Sequence, residues 1–343
     1  MRIFVYEYIC GGGLAGEPLP ESLRAQGWAM LTALLEDFSR CPGVETVTLL
    51  DSRLSATIGE LSGAEVDLVE VDGEEALYRE RTREADFTIV IAPDFDYLLY
   101  QRCGWTEAVD GRLLGPSMAA VHLTGDKFQL GEVWWRNGIS TPPFAVFPEG
   151  CVDTLYPVVC KPRRGAGSKG LFLAHTLLEL HEGRRRWQGF QEVSLIQPFV
   201  SGIPASVSLI IGGGQCLALP AAMQHLSDDG RFRYLGGSLP LSDALNDRAQ
   251  RLALRAIAPI DGLSGYVGVD LILGAAVDGS EDVAIEINPR LTTSYVGLRA
   301  LAEFNLAETM LALALGRPLP ERRYRAGVVR FLADGTVEGP HVQ

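Results

Sequence analysis

Four short apolar runs alternate with two longer amphipathic segments over the first hundred residues. The apolar runs are rich in β-branched and aromatic residues, which is typical of buried strands; they cover residues 2–9, 44–51, 64–71 and 86–96. The segments at residues 21–40 and 74–85 have the composition and periodicity of helices. Strands and helices that alternate at this spacing predict a doubly wound parallel α/β sheet.

The pattern changes after Gly115-Pro116-Ser117, where a domain boundary is expected. One continuous helix is predicted from Ser117 to Asn137, and further helices are predicted at residues 175–186, 242–260 and 298–314. Strand patterns lie between these helices, at residues 157–174, 194–202, 205–224, 266–273 and 283–288. We therefore expect an α+β region in two subdomains, with domains at residues 1–115, 116–196 and 197–343.

Polar residues alternate with apolar ones near the end of the last predicted strand. Glu286 and Asn288 would lie on one face of that strand, and Asp270 lies within the apolar strand before it. Three oxygen ligands from neighbouring strands suit Mg²⁺, with Mn²⁺ as an alternative, because such ions take few protein ligands and keep water and phosphate. The other interpretation is that Glu286 and Asn288 lie at a frayed strand end and that Asp270 is an edge charge.

A first glycine-rich loop, with Gly11, Gly13 and Gly16, follows the first strand. Its spacing matches the dinucleotide fingerprint G-x-G-x-x-G, but the proline-containing segment at residues 17–22 separates it from the helix. A nicotinamide site is therefore disfavoured, and two other interpretations of the loop are favoured over it. The loop is either a flexible turn or a substrate-facing loop, with Glu7 or Asp94 near it to meet an amino group.

A second glycine-rich loop spans Gly165 to Gly170 and lies between two strand-like runs. Because a strand follows it, neither a dinucleotide fingerprint nor a Walker A loop fits, since both open a helix. It is similar to the hairpin flap that covers nucleotide phosphates in protein kinases. Backbone N–H groups of the glycines would bind phosphate, and Lys161 and Lys169 would offset its charge. The alternative for Lys161 is a surface lysine whose stem packs on apolar neighbours.

Composition narrows the function classes further. The 343 residues carry a net charge of −13, which disfavours nucleic-acid binding because that requires a positive surface. No apolar run is long enough to span a bilayer, and Glu7 interrupts the only apolar run at the N-terminus, so we expect neither a membrane span nor a secretory signal. The six cysteines are scattered, which indicates reduced thiols and a cytoplasmic location.

The order of these features resembles that of the ATP-grasp superfamily of carboxylate–amine ligases, from about Pro116 to Gly316. The matching features are a helix lysine, a strand lysine with a glycine flap, a linker strand, and an Asp…Glu-x-Asn set. The resemblance implies ATP held between two α+β subdomains, with a preceding α/β domain.

The resemblance also implies a role for each matching residue. The phosphate-binding lysines would be Lys127 and Lys161, and the lid would be the Arg164–Gly170 loop with Gly165, Gly167, Ser168 and Lys169. The adenine-binding linker would be Gln197, Pro198, Phe199 and Val200. The Mg²⁺ ligands would be Asp270, Glu286 and Asn288. The two carboxylates would contact ATP through the bound ion.

Two positions depart from the usual pattern of the superfamily. Pro204 occupies the place of the acid that contacts the ribose, and Gly268 occupies that of an arginine two residues before the first metal ligand. Arg290, just after the metal strand, is the candidate to take over from that arginine, by a bidentate contact with an acyl phosphate or a carboxylate. A structural ion pair is the alternative for Arg290.

Three segments are similar to the branch of the superfamily that contains the tyramine–glutamate ligase of methanofuran biosynthesis; they are FVYEYICGGGL, IAPDFD and EINPRLTTSYVGL. The similarity implies an amide-forming reaction of glutamate with tyramine, tyrosine or a similar amine through an acyl phosphate. The substrate contacts would then be Glu7, Gly11, Gly12, Gly13, Asp94, Arg290, Thr293 and Ser294, with Arg290 and Lys161 as catalytic residues. The expected partners are small-molecule carboxylate and amine substrates, and a homodimer is left open.

Three alternatives to this function remain open from the sequence. They are an ATP-grasp ligase of another amino-acid or dipeptide pathway, a nicotinamide-dependent oxidoreductase, and a non-catalytic ATP-binding protein.

Overall fold

The computed structural model describes residues 1–147, 156–165, 167–186 and 193–341. The N-terminal part of the chain folds into a parallel sheet between helices. Its strands are β1 (Arg2–Glu7), β2 (Glu45–Asp51), β3 (Glu65–Val69) and β4 (Phe87–Ile91), in the order β3-β2-β1-β4. Its helices are α1 (Glu21–Ser39), α2 (Glu74–Glu84) and α3 (Leu98–Glu107), with a 3₁₀ helix at Ser52–Glu60. The predicted doubly wound parallel domain is confirmed.

A second, four-stranded antiparallel sheet follows. Its strands are β5 (Ala145–Val146), β6 (Val158–Pro162), β7 (Phe172–Ala174) and β8 (Ser194–Pro198), in the order β5-β8-β6-β7. Its helices are α4 (Met118–Thr124), α5 (Lys127–Arg136) and α6 (Leu177–Arg186). The glycine-rich loop connects β6 to β7, which pair as a hairpin, so the predicted strand–loop–strand flap is present.

An eight-stranded antiparallel sheet completes the fold. Its strands are β9 (Ile203–Gly212), β10 (Gln215–Ala218), β11 (Ala222–Leu226), β12 (Tyr234–Leu239), β13 (Gly265–Leu273), β14 (Val283–Asn288), β15 (Val328–Leu332) and β16 (Val337–His341). Strand β13 lies between β14 and β9 in this sheet. Its helices are α7 (Asp243–Ile257), α8 (Ser294–Leu301) and α9 (Leu306–Ala314).

A shared core joins the N-terminal domain to this large sheet. Leu31 and Leu34 of α1 belong to the same buried apolar cluster as Met310 of α9 and Val296 of α8. At the edge of the cluster, Asp37 of α1 accepts hydrogen bonds from Tyr295 and Arg299 of α8. The carboxyl ends of the parallel strands are thereby held against the end of β14, where the predicted metal ligands lie.

Two predicted helices are each broken in two. The helix predicted from Ser117 to Asn137 stops at Thr124, because Asp126 accepts the N–H groups of Phe128 and Gln129 and begins α5. The prediction of a single helix at residues 298–314 was also wrong. Helix α8 ends at Leu301, and Asn305 caps α9 by accepting the N–H of Glu308.

Several elements were not predicted, namely the 3₁₀ helix, α3, β5, β12, β15 and β16. Strand β15 pairs with β12, about ninety residues earlier in the chain, so its place in the sheet depends on a long-range contact. Strand β8 crosses the boundary placed between residues 196 and 197, and the domain limits stay predictions. In the described part of the chain, every helix is too short or too polar to cross a lipid bilayer.

Candidate active site

The predicted metal ligands lie together on two paired strands. Asp270 of β13 is opposite Glu286 of β14, and Gly268 is opposite Asn288. Because side chains alternate along a strand, these residues share one face of the sheet. The Asn288 amide donates a hydrogen bond to Asp270 Oδ2 at 3.0 Å.

The two carboxylates of this group differ in how readily they ionise. Burial, and then the charge of Glu286, raise the pKa of Asp270 to about 8. Burial also acts to raise the pKa of Glu286, but Lys127 and Lys161 outweigh it and hold that pKa below its usual value. Two adjacent carboxylates and an amide oxygen fit a hard divalent ion, whose other ligands would be water and phosphate. Among the described residues, no group of three or more His, Cys, Asp or Glu side chains is arranged to hold a metal ion.

Two lysines face Glu286 from the second sheet and its helix. Lys127 begins α5, and its Nζ lies 3.5 Å from Glu286 Oε2 and donates to the Gly165 carbonyl at 2.7 Å. Lys161, on β6, is 4% exposed, and burial followed by the charge of Lys127 lowers its pKa to about 8. Two neighbouring cations that compete for one carboxylate would be stabilised by an anion such as phosphate.

The lid hairpin has the backbone that a phosphate-binding loop needs, with Ala166 outside the described residues. Gly167 and Gly170 have φ values of 67° and 78°, a region that favours glycine. The Ser168 hydroxyl donates to the Phe232 carbonyl at 2.7 Å, and Lys169 Nζ lies 5.4 Å from the centre of the Phe95 ring. The lid therefore contacts both the N-terminal domain and the 227–233 loop of the large sheet.

The predicted adenine linker leads from β8 towards β9. Gln197 is buried and donates to the Pro142 carbonyl at 3.1 Å, while the Phe199 N–H donates to the Pro157 carbonyl. The Phe199 ring is 40% exposed and stacks on Phe232, 6.0 Å between ring centres. The linker continues through Pro198 and Val200. The aromatic pair beside it, with Phe199 exposed and Phe232 half-buried, is a suitable surface for a purine.

Arg290 connects the metal strand to the N-terminal domain. Its Nε donates to Asp94 Oδ2 at 3.0 Å and its Nη1 donates to the Leu291 carbonyl at 3.1 Å. The structural ion pair considered for Arg290 is therefore present. At Gly268, an added Cβ would lie 3.1 Å from Thr292, so the 290 loop crowds the place of the usual arginine.

Thr293 and Ser294, shortly after Arg290 in the chain, are both buried. Thr293 is 8% exposed, and the Ser294 hydroxyl joins a network with Ser208 at 3.1 Å, Tyr266 at 3.2 Å and Thr292 at 2.8 Å. These hydrogen bonds fix the start of α8 and thereby the loop that carries Arg290. The predicted substrate contacts of Thr293 and Ser294 stay predictions.

The first glycine loop is packed tightly against its neighbours in the N-terminal domain. A Cβ on Gly12 would lie 2.5 Å from Val69, and one on Gly13 would lie 2.2 Å from the Tyr8 ring. Gly11 N–H donates to the Glu7 carbonyl at 2.7 Å, and α1 does not begin until Glu21. This geometry gives the glycines a packing role, and it leaves no helix N-terminus at the loop for a pyrophosphate.

Glu7 lies beneath this loop. It is 2% exposed, and its Oε2 accepts the Cys10 N–H at 2.7 Å. A Cβ on Gly27 would lie 2.5 Å from the Glu7 carboxylate, so α1 covers the side chain. Burial raises the pKa of Glu7 to about 7.

We expect Glu7→Gln to flatten the pH dependence of stability. The folded state holds the Glu7 proton more tightly than the unfolded state, whose pKa is the ordinary 4.5, so wild-type stability falls as pH rises from 4.5 to 7. Between pH 5 and 8 the wild type should lose roughly 2.5 kcal/mol more than the variant. Urea unfolding at both pH values measures this difference, with Glu17→Gln as an exposed control. Parallel pH profiles for Glu7→Gln and the wild type would contradict the prediction.

Two positions near the site were not singled out from the sequence. Gln224 of β11 donates to Asp270 Oδ1 at 2.9 Å, and only the folded sheet brings β11 near β13. Asp126 accepts from Arg163 at 2.8 Å and from Arg164 at 2.9 Å. The run Asp126-Lys127-Phe128-Gln129 has the D-x-x-Q form of a helix start, so a local signal for Asp126 was present.

Two protein-family models together match most of the chain. The model of the ATP-grasp domain matches residues 124–294, and that of the pre ATP-grasp 3 domain matches residues 44–121. The chain belongs to the ATP-grasp family. The first match contains both lysines, the lid and the three metal-ligand candidates, so it covers the site described above.

Two curated ligases and one solved structure are similar to this chain over most of their length. A tyramine–L-glutamate ligase of Methanocaldococcus fervens is 28% identical over 90% of this chain and 92% of its own. A D-alanine–D-alanine ligase of Pediococcus pentosaceus is 24% identical over 75% of this chain and 79% of its own. The crystal structure of an ATP-grasp superfamily protein from Archaeoglobus fulgidus has a TM-score of 0.69 at 24% identity, covering 96% of this chain and 92% of that one.

These similarities, with the site, define the general activity. The chain is an ATP-grasp ligase that joins a small-molecule carboxylate to an amine with release of ADP. The nicotinamide and non-catalytic alternatives are thereby set aside. ATP-grasp enzymes use ATP with divalent metal ions, and the Asp270–Glu286–Asn288 set fits such an ion.

Proposed function

We propose that this ligase joins glutamate to tyramine or a similar amine, through an acyl phosphate, in the synthesis of a furan-containing one-carbon carrier. The observation that carries the acyl-phosphate route is the meeting of the Asp270–Glu286 pair with Lys127 and Lys161 at the interface of the two antiparallel sheets. The choice of substrates rests on the similarity to the tyramine–glutamate ligase.

The residues of the chain would act mainly by position and charge. Lys127 and Lys161 would bind phosphate oxygens, and Asp270, Glu286 and Asn288 would hold Mg²⁺ or Mn²⁺. The ion would neutralise charge on the phosphates during transfer. Phosphoryl transfer needs little covalent help from the protein, so preorganised positive charges supply most of the catalysis. The lid backbone at Gly165 and Gly167 would exclude water from the acyl phosphate.

The proposed reaction has two steps, a phosphoryl transfer and an amide formation. The γ-phosphoryl group moves to a carboxylate oxygen, the amine nitrogen then bonds to the carboxyl carbon, and the bond from carbon to the phosphate oxygen breaks. The ammonium loses two protons in all, one retained on hydrogen phosphate and one released to solvent. Arg290, just after the metal strand, would stabilise the negative charge that develops on the acyl group.

An ADP-release assay with pairs of substrates tests the proposal. We expect ADP release with L-glutamate to depend on tyramine, and mass spectrometry to detect the amide of the pair. D-Alanine alone is the control for the D-alanine ligase activity of the other curated relative. Turnover of D-alanine without any response to glutamate and an amine would contradict the proposed substrates while leaving the ligase class unchanged.

A further inference from the structure

A small cavity lies between the N-terminal domain and the start of the ATP-grasp region. Its walls include Asp94 from the loop after β4, Tyr97 and Tyr100 at the start of α3, His122 of α4, and Arg164 of the lid. Its volume of about 10 Å³ is close to what a single water-sized group occupies.

Two of the polar atoms in these walls have no partner. Within the described part of the chain, neither Asp94 Oδ1 nor His122 Nδ1 makes a hydrogen bond, although both atoms are buried. The Asp94 side chain is only 8% exposed, and its other oxygen is bound by Arg290. An unpaired buried polar atom is costly, so a ligand that pairs with both atoms would gain stability from each of them.

The hydrogen-bonding character of each atom can be assigned. Asp94 Oδ1 is an acceptor. His122 Nε2 lies 3.5 Å from Arg164 Nη2, and because a guanidinium can only donate, Nε2 is the acceptor and the ring hydrogen lies on Nδ1. The cavity therefore offers one acceptor and one donor, which suits a group that both donates and accepts.

Charge and shape select a neutral hydroxyl on a ring. The Arg164 guanidinium lies 4.7 Å from the centre of the Tyr97 ring, and Arg290 pairs with Asp94, so two cations already border the cavity. Asp126 pairs with the first of these cations and Asp94 with the second, so the cavity has little net charge, which suits a neutral group. The His122 ring stacks on Tyr97 at 6.3 Å and is inclined to Tyr100 at 5.5 Å, which gives flat aromatic walls.

The backbone holds the aromatic wall in an unusual conformation. Asp96 and Tyr97 have φ values of 52° and 58°, a left-handed region that non-glycine residues rarely adopt. Tyr97 is nevertheless 46% exposed, so apolar burial of its ring does not account for that strain. Strained residues of this kind cluster at ligand sites.

We propose that this cavity binds the hydroxyl group of a phenol-bearing amine substrate, with Asp94 Oδ1 accepting from the hydroxyl and His122 Nδ1 donating to it. The inference rests on the amine–glutamate ligase function proposed above, and it assigns Asp94 to the ring end of the amine instead of its amino group. Asp94 and His122 then determine the specificity for a hydroxylated ring.

The test compares tyramine with 2-phenylethylamine, which lacks only the hydroxyl. With L-glutamate and ATP, kcat/KM for tyramine should exceed that for 2-phenylethylamine on the order of 100-fold, because the analogue leaves both buried atoms unpaired. In His122→Phe, which keeps an aromatic ring but removes the donor, the ratio should fall at least about tenfold. His181→Phe, in α6 and outside the cavity, should keep the wild-type ratio.

Calorimetric binding of both amines in the presence of ADP and Mg²⁺ gives a readout that does not need turnover. Tighter binding of tyramine than of 2-phenylethylamine by the wild type, with a smaller difference in His122→Phe, supports the subsite even if no amide is formed. Absence of the amide would then contradict the proposed function and not the subsite. Equal turnover and equal binding of the two amines would mean that the cavity holds only a water molecule. That result would overturn the subsite and leave the ligase function intact.

Discussion

Lys161→Met will lower kcat/KM for ATP on the order of a thousand-fold, as measured by ADP release. Lys161 is 4% exposed and lies near Lys127 and Glu286, where a phosphate would complete the charge balance. Removal of one preorganised donor to a developing charge typically costs about 10²- to 10³-fold, and Lys161 would act in both binding and transfer.

The fold should survive this substitution. Burial already disfavours the charged form of Lys161, and methionine fills a similar volume without a charge, so the unfolding midpoint should not fall. Arg136→Met is the control, because it removes an exposed cation whose partner among the described residues is Glu132 of the same helix. A Lys161→Met variant with wild-type ADP release would remove Lys161 from the phosphate site, whereas a variant that unfolds would show a structural role.

The lysines explain why the sequence alone indicates a candidate nucleotide site. Lys127, Lys161 and Lys169 are the three lysines of the chain, and the remaining 27 basic residues are arginines. All three lie on or beside the lid, so a local pattern of glycines and lysines is enough to predict a phosphate site there. The spacing of Glu286 and Asn288 is equally local, because alternation along one strand places both on one face.

The substrate side could be predicted only in part, because its contacts join distant segments. Asp94 and Arg290 are 196 positions apart, and no local pattern shows that they form an ion pair. The orphaned atoms of Asp94 and His122 likewise become visible only when the N-terminal domain packs on α4. The substrate contact predicted for Glu7 stays a prediction, and the close packing of Gly27 on its carboxylate could not be read from the sequence.

The break in the helix predicted at residues 117–137 had a local sequence signal, but the helical composition of the whole segment outweighed it in the prediction. Residues 117–137 carry a continuous helical composition, and the D-x-x-Q start at Asp126 lies inside it. The break has a consequence for the site. It makes Lys127 the first residue of α5, where its N–H donates to the Arg163 carbonyl at 3.0 Å and its side chain reaches Gly165.

Glu286→Gln is expected to weaken productive metal binding by at least about a hundredfold, so that activity is lost at ordinary Mg²⁺ concentrations. Changes outside the first coordination shell already cost about 10- to 100-fold in metal affinity, and this change removes a charged ligand. The neutral amide also removes the partner of Lys127 and leaves Asp270 as the one carboxylate at the site.

A second readout separates metal binding from folding or substrate effects. Mn²⁺ binding in the presence of ADP, followed by electron paramagnetic resonance, should weaken in Glu286→Gln. It should stay unchanged in Glu281→Gln, which makes the same chemical change in the turn that joins β13 to β14, where Glu281 accepts the N–H groups of Ala275 and Ala276. If Glu286→Gln bound Mn²⁺ and turned over like the wild type, the ion would lie elsewhere. The pairing of Glu286 with Lys127 would then serve to orient that lysine towards phosphate.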